Sequence, residues 1–269
     1  MPNKIEIADY RGHWALVTGA SAGIGREFAV QFAAAGVNLA LVARREDLTE
    51  LADELRARHG ISTVVLPIDL SLPDATTQIK DRLAAENIRI RVLCNNCAFG
   101  HWGGFEEGDA MSYQRMIQVN VGAMVALCFE FLPDLRAFPT SVVINVSSGA
   151  AYQPVPYMAV YAATKAFVSS FSLALSGELK EFGVLVQTLI PGPTETEFDS
   201  IAGAHPNALG SRGSAKKVVE DSLRYLEKGR PLALNAKGTY KQRLFNGLFP
   251  IEMVVREVAK MFRPPNRRR

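Results

Sequence analysis

The stretch WALVTGASAGIGREFAVQFAAAG, residues 14–36, limits the fold more than any other in the chain. WALVT is an apolar run too short for a helix, whereas Ile24, Phe28 and Phe32 recur on one helical face and Gly36 supplies a stop. Between run and helix lies a turn carrying Gly19, Gly23 and Gly25. Strand, glycine turn and helix therefore follow in that order. The same alternation continues with VNLALVAR and REDLTELADELRARHG, then STVVLPIDL and LPDATTQIKDRLAAEN. Further strands are predicted at RVLCNN, SVVINVSS and VLVQTLIPG, with helices near 112–132 and 161–182 between them. Short apolar strands alternating with longer helices predict an α/β fold: a doubly wound parallel sheet covered by helices on both faces.

No polar linker interrupts this alternation, so all 269 residues are read as one domain. Residues 194–213 lack a clear period and are expected to form a substrate loop with a short helix. SAKKVVEDSLRYLEKG then reads as a surface helix, RPLALN as a last strand, and residues 250–263 as an amphipathic helix. The formal charge is only +3, but residues 256–269 hold six basic groups against Glu257 alone, which leaves −2 on the rest. The body is thus no nucleic-acid surface. Three cysteines give no disulfide framework, and neither a secretory apolar run nor eighteen uninterrupted apolar residues is found. A reducing, aqueous compartment, the cytoplasm, is the expectation.

TGASAGIG places its glycines where a diphosphate needs close backbone approach and free N–H groups, ahead of a helix N-terminus with favourable charge. It lacks the Gly-Lys-Ser/Thr ending of a triphosphate loop. At the end of the second strand an acidic residue would favour NAD, but the chain reads VARRE, with Arg44 and Arg45. A guanidinium can meet a 2'-phosphate bidentately, so NADP(H) is the expected cofactor. The arginines also suit simple solvation of a helix start. Asp69, closing the third strand, is placed to accept from the adenine amino group.

Tyr161 and Lys165, in VYAATKAF, lie four apart and share one helical face, with Ser148 thirteen residues upstream. A phenol with a pKa near about 10 carries protons poorly at neutrality, and a neighbouring cation is expected to lower it. Ser148 can donate to a substrate oxygen. Alone, a Tyr and a Lys four apart are unremarkable; with the serine and the glycine turn at the carboxyl side of one sheet, where such folds bind ligands, they place three polar groups around one ligand oxygen.

These stretches, with IDLS, NNCAFG, MIQVN, INVSSG and IPGPTETE in order, resemble the short-chain dehydrogenase/reductase family in its compact subgroup, over roughly residues 12–200. The resemblance implies a seven-stranded Rossmann-like sheet. It implies Ser148 polarising the substrate oxygen, Tyr161 as acid/base, Lys165 holding the nicotinamide ribose, and Asn120 sustaining a helix kink and a proton path to Lys165. For the cofactor it implies contacts from Gly19, Ser21, Gly23, Ile24, Gly25, Arg44, Asp69, Asn96, Pro191, Gly192, Thr194 and Thr196, beside Tyr161 and Lys165. Ile190 would lie at the nicotinamide end, and Asn95 would support the central strands. The chain departs from the family at Ala98, where glycine is usual, and beyond residue 213.

Cys94 and Cys97 form a Cys-x2-Cys, but no histidine stands at zinc spacing, so no metal is expected. His101, Phe99 and Trp102 are candidates for the substrate mouth, and Tyr152, Val155, Pro156, Tyr157, Met158, Phe198 and His205 for its wall. Their apolar character points to a hydrophobic ketone or secondary alcohol. The apolar stripe Ile251, Val254, Val255, Val258, Met261 and Phe262 suits either packing on its own domain or a peripheral membrane contact beside the basic residues. The apolar excess on the helices near 112–132 and 161–180 fits a homodimer or homotetramer. Two other functions fit the motifs: a nonenzymatic dinucleotide sensor or scaffold, and a cofactor-dependent epimerase or dehydratase.

Overall fold

A computed structural model describes residues 6–44, 48–203, 212–235 and 248–264. Seven parallel strands form one sheet: β1 (Trp14–Thr18), β2 (Asn38–Val42), β3 (Thr63–Leu66), β4 (Ile90–Asn95), β5 (Ser141–Val146), β6 (Val184–Ile190) and β7 (Leu232–Leu234). Their order is β3-β2-β1-β4-β5-β6-β7, with every pairing parallel. The strands are nearly all apolar because both faces are covered. On one face α1 (Gly23–Ala34), α2 (Leu48–His59) and α8 (Ala215–Glu227) bury Phe28, Phe32, Leu51, Leu55, Val218 and Leu226. On the other, α3 (Ala75–Ala85), α5 (Ala123–Arg136) and α6 (Ala159–Leu179) bury Ile79, Leu83, Leu127, Phe131 and Leu179. The seven strands and the doubly wound arrangement agree with the sequence reading.

The helix expected near 112–132 runs from 110 to 136 but is not regular. α4 (Ala110–Ile117) and α5 are joined by a π-helical turn, Gln118–Gly122. Asn120 sits in that turn and is buried; its Oδ1 accepts from the Phe99 N–H at 3.1 Å and its Nδ2 donates to the Phe99 carbonyl at 2.9 Å. One side chain thereby pairs with the backbone of the loop after β4 and re-spaces the helix there. By length and composition this continuous helix is apolar enough to cross a membrane, yet its Met124, Leu127, Phe131 and Leu135 are buried in the domain.

The unpatterned segment after β6 contains the short helix α7 (Phe198–Ala202) and is closed at its base by a bridge between Thr194 and Gly213. The last described helix, α9 (Ile251–Phe262), buries Val254 and Val258 against a third apolar cluster that includes Trp102, Met116, Val155, Met158 and Tyr161. Val254 and Val258 of its apolar stripe pack on the domain, while Ile251 and Met261 stay exposed. The arginines at 267–269 lie outside the described residues.

Candidate active site

β1 and β4 are neighbours in the sheet while their following helices leave in opposite directions, so a crevice opens at the carboxyl ends of the strands. Gly19 follows β1 with φ of 65°, and its N–H donates to the Val42 carbonyl at 2.8 Å. A side chain there would meet Asn96 Nδ2 at 2.9 Å. A methyl on Gly25 would overlap the Gly19 carbonyl oxygen and the Asn96 amide, so α1 is drawn hard against the turn that contains Ser21. Ile24 anchors the helix start on the core. The first N–H groups of a helix lack intrahelical acceptors, and the N-cap, Ala22, brings no side-chain acceptor to them. Those donors at the positive end of a helix fit a dinucleotide diphosphate.

The turn is clamped from β4. Thr18 Oγ1 accepts from the Asn96 and Cys97 N–H groups, each at 3.0 Å. Asn96 Nδ2 donates to the carbonyls of Thr18 at 3.1 Å and Gly19 at 3.3 Å. Asn96 thus shapes the turn with its side chain. Beyond β2, Arg44 is exposed and stands 3.6 Å from Asp69. Burial alone would raise the Asp69 carboxyl, but the Ser71 hydrogen bonds and the Arg44 guanidinium together hold it below its usual value. Asp69 accepts from the Ser71 N–H at 2.9 Å. Arg45 lies outside the described residues, so only Arg44 is seen at this corner.

At the other end of the crevice, Ser148 follows β5 and caps a short helical turn, Gly149–Tyr152. The Ser148 side chain lies near enough to the Tyr161 phenol to favour its ionised form. Lys165 Nζ donates to the Val146 carbonyl at 2.8 Å and lies 5.9 Å from the Tyr161 ring centroid. Both residues are buried. The helix carrying them is fixed to β5 by Ser147, whose Oγ donates to the Lys165 carbonyl at 2.8 Å. Asn120 Nδ2 reaches Thr164 Oγ1, between them in sequence, at 3.1 Å. Asn95 Nδ2 donates to Asn145 Oδ1 and Asn145 Nδ2 to Ser172 Oγ, both at 2.9 Å, which ties β4, β5 and α6 together as the sequence reading expected of Asn95.

The proton affinities differ from the sequence expectation. Burial pushes the Tyr161 phenol up to about 12; the Ser148 side chain opposes this and the Asp199 charge adds to it. Burial pushes Lys165 down to about 8. The local pair rule gives way because both groups have left water, and desolvation disfavours the charged form of each. Cys97, beside this site, is raised to about 11 by burial and is a poor nucleophile at neutral pH.

The segment after β6 closes over the phenol. Gly149 N–H donates to the Pro191 carbonyl at 3.3 Å, and Thr194 Oγ1 to the Gly192 carbonyl at 2.8 Å. The Thr196 methyl approaches Gly23, where any Cβ would lie 2.8 Å away. Phe198 packs on Tyr161 with ring centroids 4.9 Å apart. Asp199, next to it, pairs with Arg212 at 2.7 Å. Tyr157, at φ of 69°, accepts the Gly103 N–H at 2.9 Å through its carbonyl. His101 packs edge-on against Tyr113 at 5.8 Å, and His205 lies outside the described residues.

The sequence model of the short chain dehydrogenase family matches residues 13–206, most of the chain. The chain belongs to that family. It is 36% identical over 222 residues to a very-long-chain 3-oxoacyl-CoA reductase of Meyerozyma guilliermondii, covering 78% of this chain and 65% of that one. To 17-beta-hydroxysteroid dehydrogenase type 3 of Mus musculus it is 31% identical over 223 residues, covering 81% and 70%. The chain thus spans about two thirds of the length of these curated relatives. A short-chain dehydrogenase from Sphingobium yanoikuyae, solved in complex with NADPH, superposes with a TM-score of 0.79 at 29% identity, covering 96% of this chain and 100% of that one.

Sequence reasoning did not find three features of the dehydrogenase's site. The Asp199–Arg212 pair joins residues thirteen apart across an unpatterned segment. Thr164 looks like filler between Tyr161 and Lys165. Val254 and Val258 share a cluster with Tyr161, although they lie ninety residues or more beyond it. The amphipathic period of residues 250–263 was the one available signal, and it is silent about the surface it covers.

Proposed function

We propose that this enzyme is an NADP(H)-dependent oxidoreductase that interconverts a hydrophobic ketone and the corresponding secondary alcohol. The observation that carries the reading is the burial of Tyr161 together with Lys165, beside Ser148 and walled by Phe198, Val155 and Met158. When bound, the nicotinamide supplies or accepts the hydride at the carbonyl carbon. Tyr161 gives its proton to the oxygen as negative charge develops there, and Ser148 donates a hydrogen bond to the same oxygen. With a phenol raised to about 12, Tyr161 is protonated and ready as an acid at neutral pH. Lys165 would hold the nicotinamide ribose and place a positive charge near the phenolate left after proton transfer. Asn120 keeps the turn of chain through which that proton is replaced.

Gly19, Gly23 and Gly25 with the α1 N-terminus would take the diphosphate, and Arg44 a 2'-phosphate. Arg44 supports NADP(H) because it is exposed and positioned at the end of β2, as the Sphingobium neighbour solved with NADPH is consistent with in fold. The apolar wall supports a hydrophobic substrate, a property shared by the 3-oxoacyl-CoA and hydroxysteroid substrates named for the two relatives. Exposed Phe129 on α5 with Phe167 and Leu173 on α6 support a homo-oligomer. Free cysteines at 94, 97 and 128 suit a reducing compartment such as the cytoplasm.

The test is NADPH and NADH oxidation by purified protein with a panel of ketones, using Tyr161→Phe as control. NADPH consumption that is lost in the variant supports the reading. Cofactor binding without turnover of any carbonyl would favour a sensor, and turnover that survives the substitution would remove Tyr161 from the chemistry.

A further inference from the structure

Phe198 lies on the Tyr161 ring, and Gly100 completes the contact: a Cβ there would fall 2.7 Å from Phe198 Cζ and 3.3 Å from Tyr161 Cδ2. A carbonyl compound reaching the phenol must therefore displace part of its cover. α7, which carries this cover, and α9, which joins the same apolar cluster from a remote part of the sequence, both end on one residue. The Trp102 backbone N–H donates to the carbonyl of Ala202, the last residue of α7, at 2.7 Å. Its indole Nε1–H donates to the carbonyl of Phe262, the last residue of α9, at 2.8 Å. The indole also packs on the Phe262 ring, with centroids 5.0 Å apart.

Carbonyls at a helix C-terminus have no intrahelical donor, so each bond satisfies a group that would otherwise turn to water. The same loop is fixed from a third side by the Gly103 N–H on the Tyr157 carbonyl at 2.9 Å. Trp102 itself is buried, in the apolar cluster that holds Tyr161, Val254 and Val258. Motion of α7 away from the phenol thus pulls on the residue that closes α9.

We propose that Trp102 is a positioning residue that couples α7 to α9 and so sets how bulky a carbonyl compound the site accepts. This rests on the ketone reductase reading, and the coupling itself can be measured without turnover. Only the indole bond can be deleted by substitution with the ring contact kept, and Trp102→Phe does so. A lost hydrogen bond of ordinary strength corresponds to roughly a five- to tenfold effect.

In the variant, amide hydrogen exchange should speed up about fivefold in both α9 and α7, although only α9 has lost a bond. The ratio of kcat/KM for a polycyclic ketone to that for a small aliphatic ketone should rise by a similar factor, with NADPH affinity unchanged. Faster exchange in α9 alone, or an unchanged or lower ratio, overturns the proposal. If the native enzyme reduces no ketone, the reductase reading fails while exchange still decides the coupling. Should Trp102→Phe not fold, Phe262→Ala, which removes the ring under the indole, is held to the same two readouts.

Discussion

The two ends of the crevice are built from opposite materials. The diphosphate end is made of backbone: Gly19 and Gly25 are needed for what they lack, and the donors are N–H groups at the start of α1. The reacting end is made of buried side chains, Ser148, Tyr161 and Lys165, each held by a partner from another element. Damage to the first should be steric and fall on cofactor affinity. Damage to the second should be chemical and fall on turnover.

The largest test of that contrast is Tyr161→Phe, which should cut kcat for ketone reduction by about 10²–10⁴, the usual worth of a positioned acid, with NADPH affinity within twofold of native. A tenfold loss of affinity would mean the two ends are not separable. Gly25→Ala should do the reverse. Its methyl meets the Gly19 carbonyl and Asn96, so we expect NADPH binding weakened on the order of tenfold or more and stability lowered by about 1–3 kcal/mol, measured by titration and thermal unfolding.

Acidity sharpens the comparison. Lys165 is lowered to about 8, so the ammonium is present below that pH and lost above it. The kcat/KM for reduction should accordingly fall as pH rises through about 8, approaching tenfold per unit, while NADPH affinity changes much less. A rate constant flat to pH 10 would show Lys165 held charged. The smallest effect is expected at Arg44. Because its side chain is exposed, Arg44→Ala should weaken NADPH by only about tenfold, with NADH affinity little altered. Equal losses for both cofactors would remove the 2'-phosphate role.

Much of this molecule is legible in one dimension. The strand and helix alternation fixes the layers, because strands covered on both faces read as apolar runs. The glycine turn is legible because close backbone approach leaves few residue choices, and Tyr161 and Lys165 because four residues make one helical turn. The π-helical turn at Asn120 is not legible from local pattern, since its cause is the Phe99 backbone twenty-one residues away. The role of Trp102 is hidden for the same reason: its partners are Ala202 and Phe262, and a lone tryptophan in a loop announces neither.

The sequence by itself determined the sheet, the nucleotide turn and the shared face of the tyrosine and lysine, all of which depend on neighbours within a few turns of chain. Only the tertiary structure decided which surface the stripe of α9 covers, and in which direction the two proton affinities move. An amphipathic period states that a face will leave water without stating against what, and desolvation depends on everything that arrives to replace the water.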